Sequence, residues 1–288
     1  MARVSIIMPC YNDGRYLRET FDSIAAQTWP DIEVIEVDDG SDDAQTLDIL
    51  HQLEAEGRLT LLQQDHQGPS AARNLAFRHA TGSMILPLDA DDGIDPAYIE
   101  KAAQVLAQQP EVGVCYGHAD LFDGRTGPWE LPDYSLQQML TDNVVFVTSL
   151  CRREVFEQAG GFDESFRTGM EDYDFFLTAL ENGWKIHQLP ETLFHYRIKN
   201  ASRSQKLLRD NSDYLAVYDR LYHKHRALYA QHMDLVVPHL RRTFLQNRQE
   251  IADLRYDIVL LNRELEKLST IAKVLKNFLR RVMRQFKR

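Results

Sequence analysis

The chain has 288 residues, of which 44% are hydrophobic, so it is long enough for one large domain with an appendage. Its formal net charge is −10, and residues 1–240 carry 38 acidic and 20 basic residues, which argues against nucleic acid as the main partner. No apolar run reaches the ~20 residues of a membrane span. Three widely spaced cysteines fit neither a disulfide framework nor a zinc site, which favours a cytoplasmic location.

Short apolar strands alternate with helices over the first ninety residues. This alternation predicts an α/β fold with a parallel, doubly wound sheet. Because ligands bind outside the carboxyl ends of such strands, the residues that follow each strand are candidate site residues. The predicted strands are 4–8, 33–37, 59–62 and 83–88, and the helices are 16–27, 42–53 and 70–79, with Ser70 as N-cap of the last.

The fourth strand ends in three carboxylates within four residues, Asp89, Asp91 and Asp92. Carboxylates this close repel one another unless a cation lies among them. Hard oxygen ligands at the tip of a strand suit Mg²⁺ or Mn²⁺, with substrate phosphates completing the shell. One interpretation is therefore a metal–diphosphate site, and the other is a solvated acidic turn closed by Gly93.

The other strand ends also carry residues that suit a nucleotide. The ring of Tyr11 can stack on a base, and Asp38 or Asp39 can accept from a ring N–H, which would select uracil over cytosine. Arg73, on the third helix, can meet a phosphate or the base. Each also has an ordinary structural explanation: Tyr11 as an aromatic residue at the rim, Asp39 with Gly40 as a turn, and Arg73 as a cation on a helix surface. The sequence contains neither G-x-G-x-x-G nor a G-x-x-x-x-G-K-[ST] phosphate loop.

Four blocks, taken together and in this order, resemble family 2 glycosyltransferases of the GT-A fold: residues 4–12, 38–41, 68–74 and 89–92. The resemblance implies a nucleotide-diphospho-sugar donor, usually UDP-linked, and a divalent metal, Mn²⁺ or Mg²⁺, held by a DxD motif. It also implies a single displacement with inversion. On this chain the resemblance places Pro9 and Tyr11 in the base pocket, makes Asp39, beside Asp38, the residue that reads uracil, and places Arg73 near the nucleotide. Asp89 and Asp91 then form the DxD pair at the ribose and the metal. Asp92 is an extra carboxylate of the candidate metal site, and the resemblance gives it no role of its own.

The second half begins with a predicted helix at 95–108 and a strand at 112–116, followed by an irregular segment, 117–146, and a helix at 152–158. Glu171 and Asp172 then open another helix. Carboxylates in a first turn are stabilised by the exposed N–H groups there, which is a sufficient structural explanation. The resemblance instead identifies them as the family's ED motif, with Asp172 as general base and Glu171 positioning the acceptor or the base.

A strand is predicted at 186–189, and residues 194–197 with 202–204 resemble the family's H-Y-R…S-x-S stretch, a loop that can close over the diphosphate. The resemblance makes His195 a candidate third metal ligand and Arg197 a candidate diphosphate clamp. A lone histidine is more often a packed or surface residue, so both interpretations of His195 stay open.

From Ile251 onwards apolar residues recur at alternating gaps of three and four, which predicts an a/d heptad seam. The helix either forms a coiled-coil homo-oligomer or lies on the body or on a membrane. Residues 270–288 contain seven basic and no acidic residues, which is typical of a helix on an anionic membrane surface. This pattern predicts peripheral attachment to the inner face of the cell membrane.

These observations predict a GT-A domain at 1–204, with a nucleotide half at about 1–95 and an acceptor half at about 96–204, then a helical linker at 205–250 and a heptad helix at 251–288. The predicted function is transfer of a sugar from a UDP-sugar to a glycan or lipid-linked acceptor in bacterial polysaccharide or lipopolysaccharide biosynthesis. A non-catalytic sugar-nucleotide-binding or coiled-coil scaffold protein is the alternative. A sugar nucleotidyltransferase is disfavoured because the loop after the first strand lacks neighbouring lysine and has one glycine.

Overall fold

The computed structural model describes residues 2–199 and 211–285. It forms two compact units, Met1–His232 and Met233–Arg288. The domain boundaries expected from the sequence at 204 and 250 stay predictions. None of the helices in the described parts of the chain is long and apolar enough to cross a membrane.

Strands and helices alternate through the first hundred residues, as the sequence predicts. The elements are β1 (Val4–Cys10), α1 (Gly14–Ala25), β2 (Ile32–Asp38), α2 (Ala44–Ala55), β3 (Thr60–Gln63), α3 (Pro69–His79), β4 (Met84–Pro87), β5 (Gly93–Ile94) and α4 (Tyr98–Gln108).

The remaining elements of the first unit add the other half of the sheet and its covering helices. They are β6 (Val112–Asp123), β7 (Gly127–Pro128), α5 (Leu136–Met139), β8 (Leu150–Arg152), α6 (Arg153–Ala159), α7 (Glu171–Glu181), β9 (Lys185–Ile198), α8 (Asn211–Lys224) and α9 (Arg226–Gln231).

The strands form one sheet in the order β3-β2-β1-β4-β8-β6-β9-β5, with β7 paired to β6. The pairs among β3, β2, β1 and β4 are parallel, which confirms the predicted doubly wound half. Strand β8 pairs antiparallel with both β4 and β6. The carboxyl ends of β1, β2 and β4 therefore meet at one edge of the sheet.

Local sequence explains the helices that flank this edge. Helix α1 buries Leu17, Phe21 and Ile24 at helical spacing. Helix α2 starts where the Asp43 side chain accepts the backbone N–H of Thr46 at 3.0 Å.

Helix α3 begins one residue earlier than the sequence predicts, and Ser70 is not its N-cap. Gly68 takes that position with φ +95°, a conformation that favours glycine, and Pro69 follows at the first turn.

Two further predictions are corrected by the pairing of β6 with β9. Strand β6 continues to Asp123, so the first residues of the segment predicted to be irregular are strand. Residues 194–197, predicted as a loop, lie within the fourteen-residue strand β9, which pairs with β6 and β5. Residues 202–204, the rest of the predicted loop motif, lie outside the described residues.

The second unit is a single helix, α10 (Met233–Gln285). The predicted seam residues Ile251, Leu254, Ile258, Leu261 and Leu265 are all exposed, with half or more of their surface accessible to solvent. An apolar stripe of this length on one helix is unusual unless another surface covers it.

Candidate active site

A pocket of about 370 Å³ lies at the carboxyl edge of the parallel strands. It combines carboxylates, two cations and aromatic rings, which is a chemistry suited to a polar, charged ligand. Its lining residues are Pro9, Cys10, Tyr11, Asp13, Asp39, His66, Pro69, Arg73, Asp89, Ala90, Asp91, Tyr196 and Lys199.

Six of the residues predicted from the sequence lie together in this lining: Pro9, Tyr11, Asp39, Arg73, Asp89 and Asp91. The remaining described candidates lie outside it, namely Asp38, Asp92, Glu171, Asp172, His195 and Arg197. His66, Tyr196 and Lys199 line the pocket without having been singled out for it by the sequence.

Asp39 organises the loop that precedes α3. Its buried carboxylate accepts the backbone N–H groups of Gln67 and Gly68 at 2.8 and 2.9 Å, and the side-chain amide of Gln64 at 2.6 Å. Asp38 is also buried, but its carboxylate accepts the backbone N–H of Ser41 at 2.9 Å and closes the turn. Of the two, Asp39 is the one that borders the pocket.

An aromatic pair forms one rim of the pocket. The rings of Tyr11 and His66 lie with centroids 4.1 Å apart, and His66 Nδ1 is 3.0 Å from the carboxylate of Asp39. Tyr11 is 41% exposed, so part of its ring is accessible to a ligand with a planar ring.

Arg73 connects the pocket to the predicted ED motif. Its guanidinium donates to Asp89 at 2.5 Å and to Glu171 at 3.1 Å, and all but 2% of the residue is buried. Burial acts to lower the pKa of Arg73, but the carboxylates of Asp89 and Glu171 outweigh it and raise the pKa. Arg73 therefore stays charged and fixes both carboxylates in place.

Asp91 faces a lysine that follows β9. Lys199 Nζ lies 2.7 Å from Asp91 Oδ2 and 2.8 Å from Asp13 Oδ1. Burial raises the pKa of Asp91, and the nearby Asp89 adds to this, whereas Lys199 opposes it.

Asp92 and Arg197 support the acidic turn from outside the pocket lining. Asp92 is buried and accepts the backbone N–H of Arg197 at 2.8 Å. Burial raises the pKa of Asp92 well above its usual value, and Asp91 and Asp89 add to the effect. The Arg197 guanidinium donates to the Asp91 carbonyl at 2.7 Å, to Glu19 at 2.5 Å and to Asp123 at 3.3 Å. These contacts commit Arg197 to holding the turn, so a clamp on diphosphate remains only a prediction.

His195 also lies outside the pocket lining. Its Nδ1 is 2.6 Å from the carboxylate of Asp120, and it pairs with Gly93 across β9 and β5.

Within residues 2–199 and 211–285, no three His, Cys, Asp or Glu side chains are grouped to hold a metal ion. Asp91 with Asp13 still provides oxygen ligands, and Mg²⁺ is commonly held by one or two carboxylates together with substrate phosphates. The residues therefore fit a metal that binds with the substrate, and they do not form a preassembled cage.

Asp172 lies in the first turn of α7. One carboxylate oxygen accepts the backbone N–H of Tyr173 at 2.8 Å, and the other accepts the side-chain amide of Asn143 at 3.1 Å. The residues just before the helix, Gly169 and Met170, have positive φ values of 134° and 67°, which turns the chain sharply into the helix. The sequence did not indicate this contact between Asn143 and Asp172.

The sequence profile of Glycosyl transferase family 2 matches residues 5–167. The chain therefore belongs to glycosyl transferase family 2, and its fold is the GT-A fold expected from the sequence.

Relatives with related names support this assignment. The chain is 32% identical over 216 residues to an uncharacterized glycosyltransferase of Nostoc sp., covering 69% of this chain and 66% of that protein. It is 34% identical over 228 residues to the O-antigen biosynthesis protein RfbC of Myxococcus xanthus, covering 70% of this chain and 18% of that protein. The chain thus spans less than two thirds of either relative.

Solved structures show the same fold. S. aureus TarS 1–349 in complex with UDP-GlcNAc has a TM-score of 0.60 and 25% identity, and the match covers 70% of this chain and 60% of that chain. The mannosyltransferase PcManGT from Pyrobaculum calidifontis, solved with GDP-Man and Mn²⁺, has a TM-score of 0.55 and 21% identity over 73% of this chain and 65% of that one. At this identity the second likeness concerns the fold alone.

Proposed function

We propose that this protein is an inverting glycosyltransferase that transfers a hexosyl or N-acetylhexosaminyl group from a UDP-sugar to a hydroxyl of a glycan or lipid-linked acceptor. Its biological setting is the synthesis of a bacterial surface polysaccharide or lipopolysaccharide, as the name of the Myxococcus relative suggests. The observation that carries the proposal is Arg73, which joins the DxD residue Asp89 to the ED residue Glu171 through one buried guanidinium.

The positions of the aromatic and charged side chains in the pocket suggest how the donor binds. The base stacks on Tyr11 and His66 beside Asp39, and the diphosphate lies towards Asp91 and Lys199. A UDP-linked donor is favoured because TarS, a structural neighbour, was solved with UDP-GlcNAc.

The acceptor hydroxyl must lose a proton as it attacks the anomeric carbon, and Asp172 is assigned as the base. The Tyr173 N–H and the Asn143 amide hold its two oxygens, so the carboxylate is oriented before the acceptor arrives. Attack from the face opposite the diphosphate inverts the anomeric centre. A divalent ion at Asp91, when bound, stabilises the negative charge that develops on the departing diphosphate.

The proposal is tested by measuring UDP release from a panel of UDP-sugars, with Mn²⁺, with Mg²⁺ and with EDTA. One sugar is expected to be hydrolysed faster than the others, with loss of activity in Asp91→Ala. Asp65→Ala, an exposed carboxylate on the loop before α3, is the matched control and is expected to behave as the wild type.

Two results would contradict the transferase. A protein that binds UDP but neither hydrolyses any UDP-sugar nor transfers sugar to an acceptor extract would support a non-catalytic sugar-nucleotide-binding protein. A protein that binds no uridine nucleotide would contradict the donor assignment as well.

We also propose that α10 pairs with α10 of a second copy as a parallel two-stranded coiled coil. The heptad seam places Ile251 and Ile258 at successive a positions and Leu254 and Leu261 at the d positions between and after them. Isoleucine at a with leucine at d is the combination that favours parallel dimers.

Charges beside the seam favour the same orientation. Glu250 and Asp257 occupy g positions, and Arg255 occupies an e position. A parallel pair brings Glu250 against Arg255 of the partner subunit, whereas an antiparallel pair brings acidic g positions together.

Cysteine cross-linking measures this orientation. The native cysteines Cys10, Cys115 and Cys151 are buried, so an introduced cysteine on α10 is the accessible one. Leu254→Cys is expected to form a disulfide-linked dimer on mild oxidation, because equal d positions meet only in a parallel pair. Ala252→Cys, which points away from the seam, is the control and is expected to stay monomeric on a denaturing gel. Equal cross-linking by both variants, or by neither, would contradict the parallel pair.

The basic segment 270–288 is proposed to bind an anionic membrane surface. Each of its seven basic residues contributes roughly 1 kcal/mol near an anionic leaflet. A parallel pair brings two such segments to the same end, which increases the attraction. Co-sedimentation of the full chain with anionic vesicles but not with neutral vesicles is the expected result, and equal co-sedimentation would contradict an electrostatic attachment.

A further inference from the structure

Lys199 is a pocket cation that the sequence motifs do not account for. Its ammonium group makes two close ion pairs, with Asp91 and Asp13, and its side chain remains 23% exposed. It lies directly after β9, beside the ring of Tyr16, whose centroid is 5.4 Å from Nζ. Its long stem and partial exposure leave Lys199 able to change partners by side-chain rotation alone.

The pocket charges require such a change when a diphosphate enters. The described lining contains four carboxylates and two permanent cations, Arg73 and Lys199. Arg73 is buried and held by Asp89 and Glu171, so it is not free to follow a ligand. A diphosphate placed beside Asp91 is repelled unless positive charge moves towards it or arrives with it.

We propose that Lys199 binds the donor diphosphate, and that in the donor-free protein its ammonium occupies the cation position beside Asp91 and Asp13. The inference rests on the proposed function, since it takes the donor to be a nucleoside diphosphate sugar. When the diphosphate enters, Lys199 leaves Asp91 and pairs with phosphate oxygens. Asp91 is then available to a divalent ion that arrives with the donor.

Two measurable consequences distinguish this role from a structural ion pair. Lys199 supplies affinity for the phosphates and not for the uridine. It also competes with divalent ions for Asp91, so the donor-free protein binds Mn²⁺ weakly. A lysine that only ties the end of β9 to the loop before α1 would affect thermal stability and neither of these properties.

The first experiment measures binding of uridine, UMP and UDP by calorimetry in EDTA for the wild type, Lys199→Gln and Lys199→Arg. Lys199→Gln is expected to weaken UDP binding about tenfold or more, as is typical of a lost charged hydrogen bond, with uridine binding unchanged. Lys199→Arg keeps the charge and is expected to retain most of the affinity for UDP.

Lys185→Gln is the matched control, because Lys185 is 68% exposed and its nearest ion-pair partner is Glu111 at 3.6 Å on the surface. It removes the same charge from elsewhere on the protein, and it is expected to bind UDP as the wild type does. If Lys199→Gln binds UDP as tightly as the wild type, or loses uridine affinity equally, the proposal is overturned.

The second experiment titrates the donor-free proteins with Mn²⁺ and follows the free ion by electron paramagnetic resonance. Lys199→Gln is expected to bind Mn²⁺ several-fold more tightly than the wild type, because the competing ammonium is gone. Unchanged or weaker Mn²⁺ binding would overturn the competition at Asp91.

Failure of the proposed function gives a different result. If the wild type binds no UDP with or without Mn²⁺, the donor assignment fails. Inorganic pyrophosphate is then the probe for Lys199, and its binding is still expected to weaken in Lys199→Gln and to be retained in Lys199→Arg. Thermal melts of each variant show whether a loss of binding reflects unfolding, and a folded Lys199→Gln protein with wild-type pyrophosphate affinity would overturn the inference.

Discussion

Replacing Asp172 by Asn is expected to lower the rate of sugar transfer by about 10²- to 10⁴-fold, the usual contribution of a general base. The amide has the shape of the carboxylate but cannot take the proton from the acceptor hydroxyl. Asp172 lies outside the pocket lining, so UDP binding is expected to stay unchanged. Steady-state transfer kinetics measure the loss in kcat, and calorimetry with UDP measures the binding.

The variant keeps part of the local hydrogen bonding. The oxygen of the introduced amide can still accept the Tyr173 N–H, while the contact with the Asn143 amide changes. Asp48→Asn on the exposed face of α2 is the control for the same chemical change, and it is expected to transfer at the wild-type rate. A transfer rate for Asp172→Asn within about threefold of the wild type would exclude Asp172 as the base.

The parallel half of the fold was predictable because its signals are local. Each strand is a short apolar run, each is followed by a turn or a helix, and the polar residues after β1, β2 and β4 meet wherever such strands are parallel. That rule alone brings Tyr11, Asp39 and Asp89 to one pocket.

The other half of the sheet was less predictable because it depends on long-range pairing. The sequence predicted a short strand at 186–189, and the family resemblance implied a loop at 194–197. Pairing with β6 holds the whole segment as one strand. Alternate side chains of a strand point to opposite faces, and since Tyr196 lines the pocket, His195 and Arg197 point away from it.

The pocket residues that the sequence missed carry no local signal. Lys199 follows a strand whose extent depends on its partner, and His66 lies in a loop folded around the carboxylate of Asp39, which follows β2. Asn143 reaches Asp172 from 29 positions earlier in the chain. Only the folded arrangement makes these residues neighbours of the site.

Raising the pH from 5 to 9 is expected to destabilise the protein through Glu36, a buried residue of β2. The residue is fully buried, and its carboxyl oxygens have no hydrogen-bond partner within the described residues. Burial raises the pKa of Glu36 from 4.5 to about 8, with the Cys10 thiol opposing this increase and Asp38 adding to it. Between pH 4.5 and about pH 8 the folded protein therefore holds a proton on Glu36 that the unfolded chain has lost.

Because the folded protein keeps this proton, its stability decreases as the pH rises. Stability from a protonated Glu36 is fully present below pH 4.5 and is lost as the pH rises through about 8. The difference between the two pKa values corresponds to a decrease in the free energy of unfolding on the order of 5 kcal/mol over this pH range. The amide side chain introduced by Glu36→Gln cannot ionise, so the free energy of unfolding of this variant is expected to change less with pH. Its stability relative to the wild type is therefore expected to increase towards pH 9.

Urea unfolding at pH 5, 7 and 9 measures this difference, with Glu33→Gln as the control on the same strand. Burial raises the pKa of Glu33, but hydrogen bonds from Ser5, Thr81 and Gly82 outweigh it and lower the pKa. That carboxylate therefore stabilises the fold above its unfolded pKa, and Glu33→Gln is expected to be less stable than the wild type at pH 7. Parallel pH profiles for the wild type and Glu36→Gln would mean that Glu36 does not carry a buried proton, because removing an ionisation that matters must change the slope.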